Sequence, residues 1–185
     1  MEEYASPFSR TVAVDSVGEG GSNVRFSATP EECQKLAELD ELVGLRDLTV
    51  EAQLIRRGRE GLFARGRVTA VVTQTCVVTL DPFETQVDEP FEIAFAPEAE
   101  AKAAYERAMA ELEAATDKAR LLAEQADPPD PIIDGKVDLG ALACEFLALG
   151  LDPYPRKPGV AFDGHVEDDE PAPSPFAALS KIKKD

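Results

Sequence analysis

LFARGRVTAVVTQTCVVTL, residues 62–80, decides how this chain folds. Leu62, Ala64, Gly66, Val68, Ala70, Val72, Cys76, Val78 and Leu80 fall on one side of a period-two pattern, and Arg65, Arg67, Thr69, Thr73, Thr75 and Thr79 on the other. That alternation reads as a strand with one buried face. Nineteen residues would span about 60 Å if straight, longer than ordinary strands. The stretch therefore holds either one strongly bent strand or two strands joined near Thr73–Thr75. Gln74 interrupts the apolar face and supports a bend or bulge there.

The neighbouring segments carry the same period. Residues 47–55 place Leu48, Val50, Ala52 and Leu54 on one face, and residues 83–95 place Phe91, Ile93 and Phe95 inward. Pro90 has no N–H for a ladder, so the first half of that run reads as an edge or a turn. Residues 8–15 and 22–28, separated by SVGEGG, read as two strands of a hairpin-like unit.

Helical signals lie between and after these strands. Thr29 as N-cap, Pro30 at the first position and Glu32 completing a capping box predict a helix over 30–43, with Leu36, Leu39 and Val43 on one face and Gly44 ending it. Residues 98–126 hold Ala, Glu and Lys with no Gly or Pro, which favours one long helix. Its stripe of Tyr105, Met109, Leu112, Ala115, Ala119 and Leu122 is narrow. DPPDP at 127–131 breaks it, and Ile132–Ile133 reads as a short strand. Asp138 then caps a helix whose face is Leu139, Leu142, Ala143 and Phe146, with Gly150 at the C′ position and Pro153, Pro155 and Pro158 forcing a stiff, extended continuation.

Composition narrows the function classes. Thirty-six acidic against nineteen basic residues give a formal net charge of −17. Such a chain is a poor blanket phosphate binder and a better match for a basic protein. Cys33, Cys76 and Cys144 are widely spaced and odd in number, as expected of reduced thiols in a cytoplasmic protein. The opening residues MEEYASPFSR lack the pattern of a secretory signal, and no apolar run approaches the roughly 20 residues that span a bilayer.

Catalytic constellations are missing from the sequence. The single histidine, His165, lies in an acidic, proline-rich stretch, and no phosphate-loop, dinucleotide or nucleophile-elbow motif is present. Three scattered cysteines do not make a zinc site, so no metal or cofactor is expected. Cys76 reads as a small buried residue of its strand, and Cys144 as half-exposed. Glu145 sits at the edge of the apolar face of its helix, as a boundary residue or as an anchor for a nearby arginine or a backbone donor. Arg46, Arg56, Arg57, Arg59, Arg65 and Arg67 concentrate within 22 residues holding three acids. A hairpin around RRGREG would gather them into a surface for phosphate contacts, or simply into a solvated face.

Three motifs in order carry a resemblance. ARGRVTAVVTQTCVVTLDPFETQVDEPFEIAFAP resembles the strand signature of the large ribosomal RNA subunit accumulation (YceD) family, at Gly66, Val68, Ala70, Cys76, Leu80, Asp81, Pro82, Phe91 and Phe95. DLGALACEFLALGLDPYP is similar to its second motif, at Asp138, Leu139, Glu145, Leu147, Leu149, Pro153 and Pro155. The closing SPFAALSKIKK resembles its final segment, at Pro175, Phe176 and Leu179. Many relatives carry a second cysteine near the first or among the closing prolines, and this chain has neither. The resemblance implies a non-enzymatic, cytoplasmic role in accumulation or maturation of large-subunit ribosomal RNA. A large-subunit ribosomal protein or pre-ribosomal particle is the implied partner, and ribosomal RNA itself a possible one.

The expected fold is α+β: an antiparallel bent sheet or partly closed β-barrel, covered by helices near 30–43 and 138–149, with one long Ala/Glu-rich helix. Residues 1–163 would form one domain with a helical insertion at 98–126, followed by an acidic, Pro-rich linker and a short helix over 164–185. The proline turn would present Tyr154, Arg156 and Lys157 to a partner.

Overall fold

The computed structural model describes residues 6–114 and 127–161. The fold is α+β: strands β1 (Thr11–Ala13), β2 (Ser22–Ser27), β3 (Gly44–Arg57), β4 (Gly61–Thr75), β5 (Pro82–Pro97), β6 (Asp130–Ile132) and β7 (Lys136–Asp138), with helices α1 (Pro30–Leu39), α2 (Glu98–Ala114) and α3 (Leu139–Leu149).

The period-two stretches pair in sequence order. β2, β3, β4 and β5 form antiparallel neighbours, with Val24, Ala52, Gly66 and Phe91 in one row across the sheet. Leu48, Val50, Leu54, Leu62, Ala64, Val68 and Val72 are fully buried, as their alternation predicts. Each large aliphatic side chain among them contributes about 1.5–3 kcal/mol by leaving water. Asp47 sits at φ 58°, where the β3–β4 register shifts between Arg46 and Thr49. A short polar side chain tolerates that left-handed backbone, and the bulge helps coil these long strands.

Four expectations are corrected. The sheet is open and mixed, with order β2-β3-β4-β5-β6 and β6 parallel to β5. It is neither purely antiparallel nor partly closed, because β2 and β6 remain unjoined edges. The segment 8–15 makes no hairpin with β2: β1 pairs with β7 in a separate ribbon, Val12 opposite Val137. The chain after β1 tightens into a 3₁₀ turn at Val14–Ser16 and buries Val14 and Val17 in the core, which carries it away from β1 before β2 begins. Helix α1 stops at Leu39, Gly44 opens β3, and Leu39 and Val43 are exposed. The buried face of α1 is Cys33, Leu36 and Ala37. Finally, β4 ends at Thr75 and a turn follows, so Val78 and Leu80 leave the inward face they were expected to share.

Pro90 stands opposite Arg67 inside a continuous β5. It is tolerated because β6 covers only Phe95–Pro97, leaving the first half of β5 an edge. The capping box of α1 forms as predicted: Thr29 Oγ1 accepts the Glu32 N–H, and the Glu32 carboxylate accepts the Thr29 N–H. Glu32 also pairs with Arg10 at 2.8 Å, tying the approach to β1 onto α1. In α2, Ala101 is buried while Tyr105 and Met109 are exposed. The remainder of the expected 98–126 helix, and the expected linker and helix at 164–185, lie outside the described residues.

Candidate docking surface

The second and fourth quarters of the chain meet where α3 ends. Asp138 starts that helix from the last residue of β7. One of its carboxylate oxygens accepts the N–H groups of Gly140 at 2.9 Å, Ala141 at 3.1 Å and Arg10 at 2.8 Å. The Ser9 hydroxyl donates to the other. Burial alone would raise this carboxyl, but those donors together hold it below the usual aspartate range. α3 then lays Leu139, Leu142, Ala143 and Leu147 into the core, and Phe146 meets Phe91 with ring centroids 5.4 Å apart. Gly150 closes the helix in a right-handed conformation. A side chain there would run into Val87 and Glu89, so close approach to β5, rather than positive φ, requires the glycine.

Beyond Gly150 the proline-laced segment is pinned to the β4–β5 turn. Gln74, the polar residue on the inward face of β4, donates from Nε2 to the Asp152 carbonyl at 3.1 Å. Val77 N–H donates to the Pro155 carbonyl at 2.9 Å, and Lys157 N–H to the Cys76 thiol sulfur at 3.4 Å. The turn closes on itself through Leu80 N–H to the Cys76 carbonyl and Cys76 N–H to the Asp81 carbonyl, both 2.9 Å. Cys76 is fully buried, but in this junction and not within a strand. The Lys157 N–H, followed by the Thr79 hydroxyl, draws its pKa down to about 7. Sulfur here is an acceptor that seats the proline segment.

Replacing Gln74 with Met removes the donor and leaves the Asp152 carbonyl short of a partner, at a cost of about 1–3 kcal/mol. The segment 152–157 is expected to loosen, and alkylation of Cys76 by iodoacetamide to accelerate in the variant. Peptide mass spectrometry of the labelled protein checks this; an unchanged rate contradicts it.

The junction presents apolar groups outward. Leu80 is 76% exposed, Tyr154 71%, Leu149 75% and Val77 46%. Leu80 is also held at φ 61°, a left-handed backbone unfavourable for a bulky side chain. Arg156 and Lys157 are exposed beside this strip, as are Asp81 and Asp152. Pro155 thus meets Val77 and Lys157 meets Cys76, residues distant in sequence, while Pro153, Tyr154 and Arg156 stand along the same pinned segment. Glu145 is exposed and pairs with no arginine among the described residues; burial and then the Asp130 carboxylate push its carboxyl upward.

The arginine cluster lies elsewhere, along the opposite face of the sheet and at the β3–β4 tip. Much of its charge is matched. Arg67 pairs with Asp88 at 3.1 Å, Arg25 with Glu51 at 2.7 Å, and Arg46 with Asp47 and Glu84. Arg56 reaches the Arg59 carbonyl and Asp15, while Arg65 bonds the Gln53 amide oxygen. Arg57 lies over the Phe63 ring at 5.1 Å, and the Arg59 side chain is exposed. An open groove of about 640 Å³ runs between the Arg25–Glu51–Arg67 row and the Asn23–Gln53–Arg65 row, floored by backbone at Gly66. Cross-strand partners for these arginines follow from the register, which alternation alone does not give.

Among the described residues no helix is long and apolar enough to cross a membrane. Pro175 and Phe176 lie outside the described residues. No curated protein and no solved structure matches the chain. Strand β4 from Ala64 onward, β5, the junction turn, the capped helix α3 and the proline segment fall within a stretch that one family model matches, residues 64–183, whereas β1, β2, α1 and β3 precede it. The chain belongs to the family described as large ribosomal RNA subunit accumulation protein YceD.

Proposed function

We propose that this protein supports large ribosomal RNA accumulation as a cytoplasmic, non-catalytic factor that docks on a large-subunit ribosomal protein or pre-ribosomal particle through the junction surface. The family description supports the role in accumulation and names no enzymatic activity. One observation carries the docking reading: a leucine held at φ 61° with 76% of its surface in water. Bulky residues in such backbone regions cost about 1–3 kcal/mol and cluster at functional sites, and an exposed apolar strip beside charged groups marks an interaction surface. Arg156 and Lys157 flank the strip, and the strongly acidic remainder of the chain favours a basic partner.

Leu80→Gly tests this reading without harming the fold. Glycine relieves the left-handed strain, so thermal stability is expected to hold or rise, while co-sedimentation with large-subunit particles falls at least about tenfold, the effect of losing about 1.4 kcal/mol of contact. Undiminished co-sedimentation of both Leu80→Gly and the Arg156→Ala/Lys157→Ala double variant removes the proposal.

A second reading, direct contact with ribosomal RNA, is favoured by Arg57 and Arg59 at the β3–β4 tip and by Arg65, whose partner is an uncharged amide. It predicts binding to naked ribosomal RNA with a steep salt dependence that Arg57→Ala/Arg59→Ala flattens.

A further inference from the structure

Strand β2 is one end of the larger sheet, and its outer side pairs with no strand among the described residues. The ladder to β3 fixes which backbone groups that side carries. Ala28 donates its N–H to the directly opposed Leu48 carbonyl at 2.9 Å, so the bonded pairs continue at Phe26 with Val50, Val24 with Ala52 and Ser22 with Leu54. The N–H and C=O of Asn23, Arg25 and Ser27 therefore point away from β3. Among the described residues none of these backbone groups finds a protein partner. Open edges are ordinarily blunted by a proline, a bulge or a covering element. β2 has no proline, and its six residues pair with β3 in unbroken register. Val24 and Phe26 turn toward the core and pack against it, yet stay only partly buried at this end of the sheet. The Asn23, Arg25 and Ser27 side chains lie on the other, exposed face.

We propose that this edge takes up an extended segment of the large-subunit protein on which the factor docks, as a strand added beside β2. Main-chain bonds to Asn23, Arg25 and Ser27 hold the segment, and its alternate side chains set its identity. Residues opposite Val24 and Phe26 face the core side and are apolar. The residue opposite Arg25 lies on the exposed face and carries an acceptor oxygen, an amide or a carboxylate. Charge disfavours a second copy of this chain as the occupant. The antiparallel self-pairing that matches all three free residues puts Arg25 directly opposite Arg25 of the copy, and like charges so placed repel. Two chains of net charge −17 also repel as wholes. RNA has no alternating backbone donors and acceptors with which to extend a ladder. Strand addition rests on the reading that the partner is a large-subunit protein, and not on the junction strip.

Hydrogen exchange of the full chain, read amide by amide with and without purified large-subunit particles, tests this. In the free protein Asn23, Arg25 and Ser27 should exchange fast, and Val24 and Phe26, bonded to β3, slowly. Particles are expected to slow the three edge amides at least about tenfold and so erase the alternation. Arg25→Pro removes an outward N–H and no bond to β3, a change that edge strands tolerate. It should melt near the parent and cancel the slowing at Asn23 and Ser27; if it unfolds, the parent's exchange pattern still decides. Co-sedimentation of the parent without slowing at these amides overturns strand addition, and leaves the junction reading intact if Leu80→Gly weakens binding. Slowing together with undiminished binding of Leu80→Gly and Arg156→Ala/Lys157→Ala keeps strand addition and removes the junction reading. Neither co-sedimentation nor slowing removes both. Slowing produced by concentrating the free protein, or by naked ribosomal RNA alone, also overturns strand addition, since a second copy or RNA would then be the occupant.

Discussion

Gly66→Ala is expected to leave the protein largely unfolded or to lower its melting temperature by about 10 °C or more, the consequence of losing roughly 3 kcal/mol or more from a domain of this size. A Cβ at Gly66 would lie 2.0 Å from the Glu51 carbonyl oxygen, 2.8 Å from Ala52 Cα and 3.0 Å from Ala52 Cβ. All three belong to the adjacent strand, and two are backbone atoms. Neither strand can yield, because Ala52 pairs with Gly66 and Glu51 with Arg67 in the middle of the longest ladder pair, β3 with β4 and β4 with β5. Overpacking of this kind is relieved only by breaking pairing. Gly58→Ala is the control. Gly58 has φ 67° at the hairpin tip, and a Cβ there meets nothing within 4 Å, so the loss should be confined to the strain of a left-handed alanine, about 1–2 kcal/mol. Thermal melts of the two variants decide the matter: equal, small shifts would mean that the sheet is not tightly coiled at Gly66.

Asp138→Ala is expected to destabilise by about 2–4 kcal/mol, from an N-cap worth roughly 1 kcal/mol and a stranded Arg10 N–H and Ser9 hydroxyl worth about 1–3 more. One carboxylate joins the start of α3, the end of β7 and the chain before β1, so its removal should loosen the β1–β7 ribbon as well as the helix. Hydrogen exchange of the amides in residues 8–13 and 136–143 would register both. The same group contributes an acid dependence. Its pKa is depressed in the folded state, so its stabilisation is present above the ordinary aspartate range and is lost as pH falls through the folded value. Asp130 and Glu145, raised chiefly by burial, act in the opposite sense, favouring the fold at low pH and losing that contribution as pH rises through their folded values. Asp138→Ala should therefore lose less stability than the parent on acidification below about pH 4, the ordinary aspartate value. An identical pH profile for the two proteins would contradict the hydrogen-bonding assignment.

Local chemistry was readable wherever one segment carried its own instructions. Thr29, Pro30 and Glu32 form the capping box their spacing announces, Asp138 caps α3, and Leu48 through Leu54 and Leu62 through Val72 bury the face their alternation marks. The family was also legible, because its motifs are ordered along the chain. The candidate surface was readable only in pieces. Tyr154, Arg156 and Lys157 stood out as an exposed turn after a helix, whereas Leu80 was assigned to the buried face, since a period-two pattern does not reveal where a strand stops. The arginine row looked like a cationic surface because its neutralising partners, Asp88 for Arg67 and Glu84 for Arg46, lie 21 and 38 residues away in sequence.

The residue order by itself therefore determined element types, caps, the buried face of β3 and β4, and family membership, since each depends on contacts within a few residues or on a linear pattern. Tertiary structure alone decided that β1 joins β7 instead of β2, that β6 runs parallel beside β5, and that Gln74, Val77 and Cys76 seat the proline segment so that Leu80 and Tyr154 face water together. These are pairings between distant segments, and hydrophobic periodicity specifies which side of an element avoids water without specifying which partner covers it.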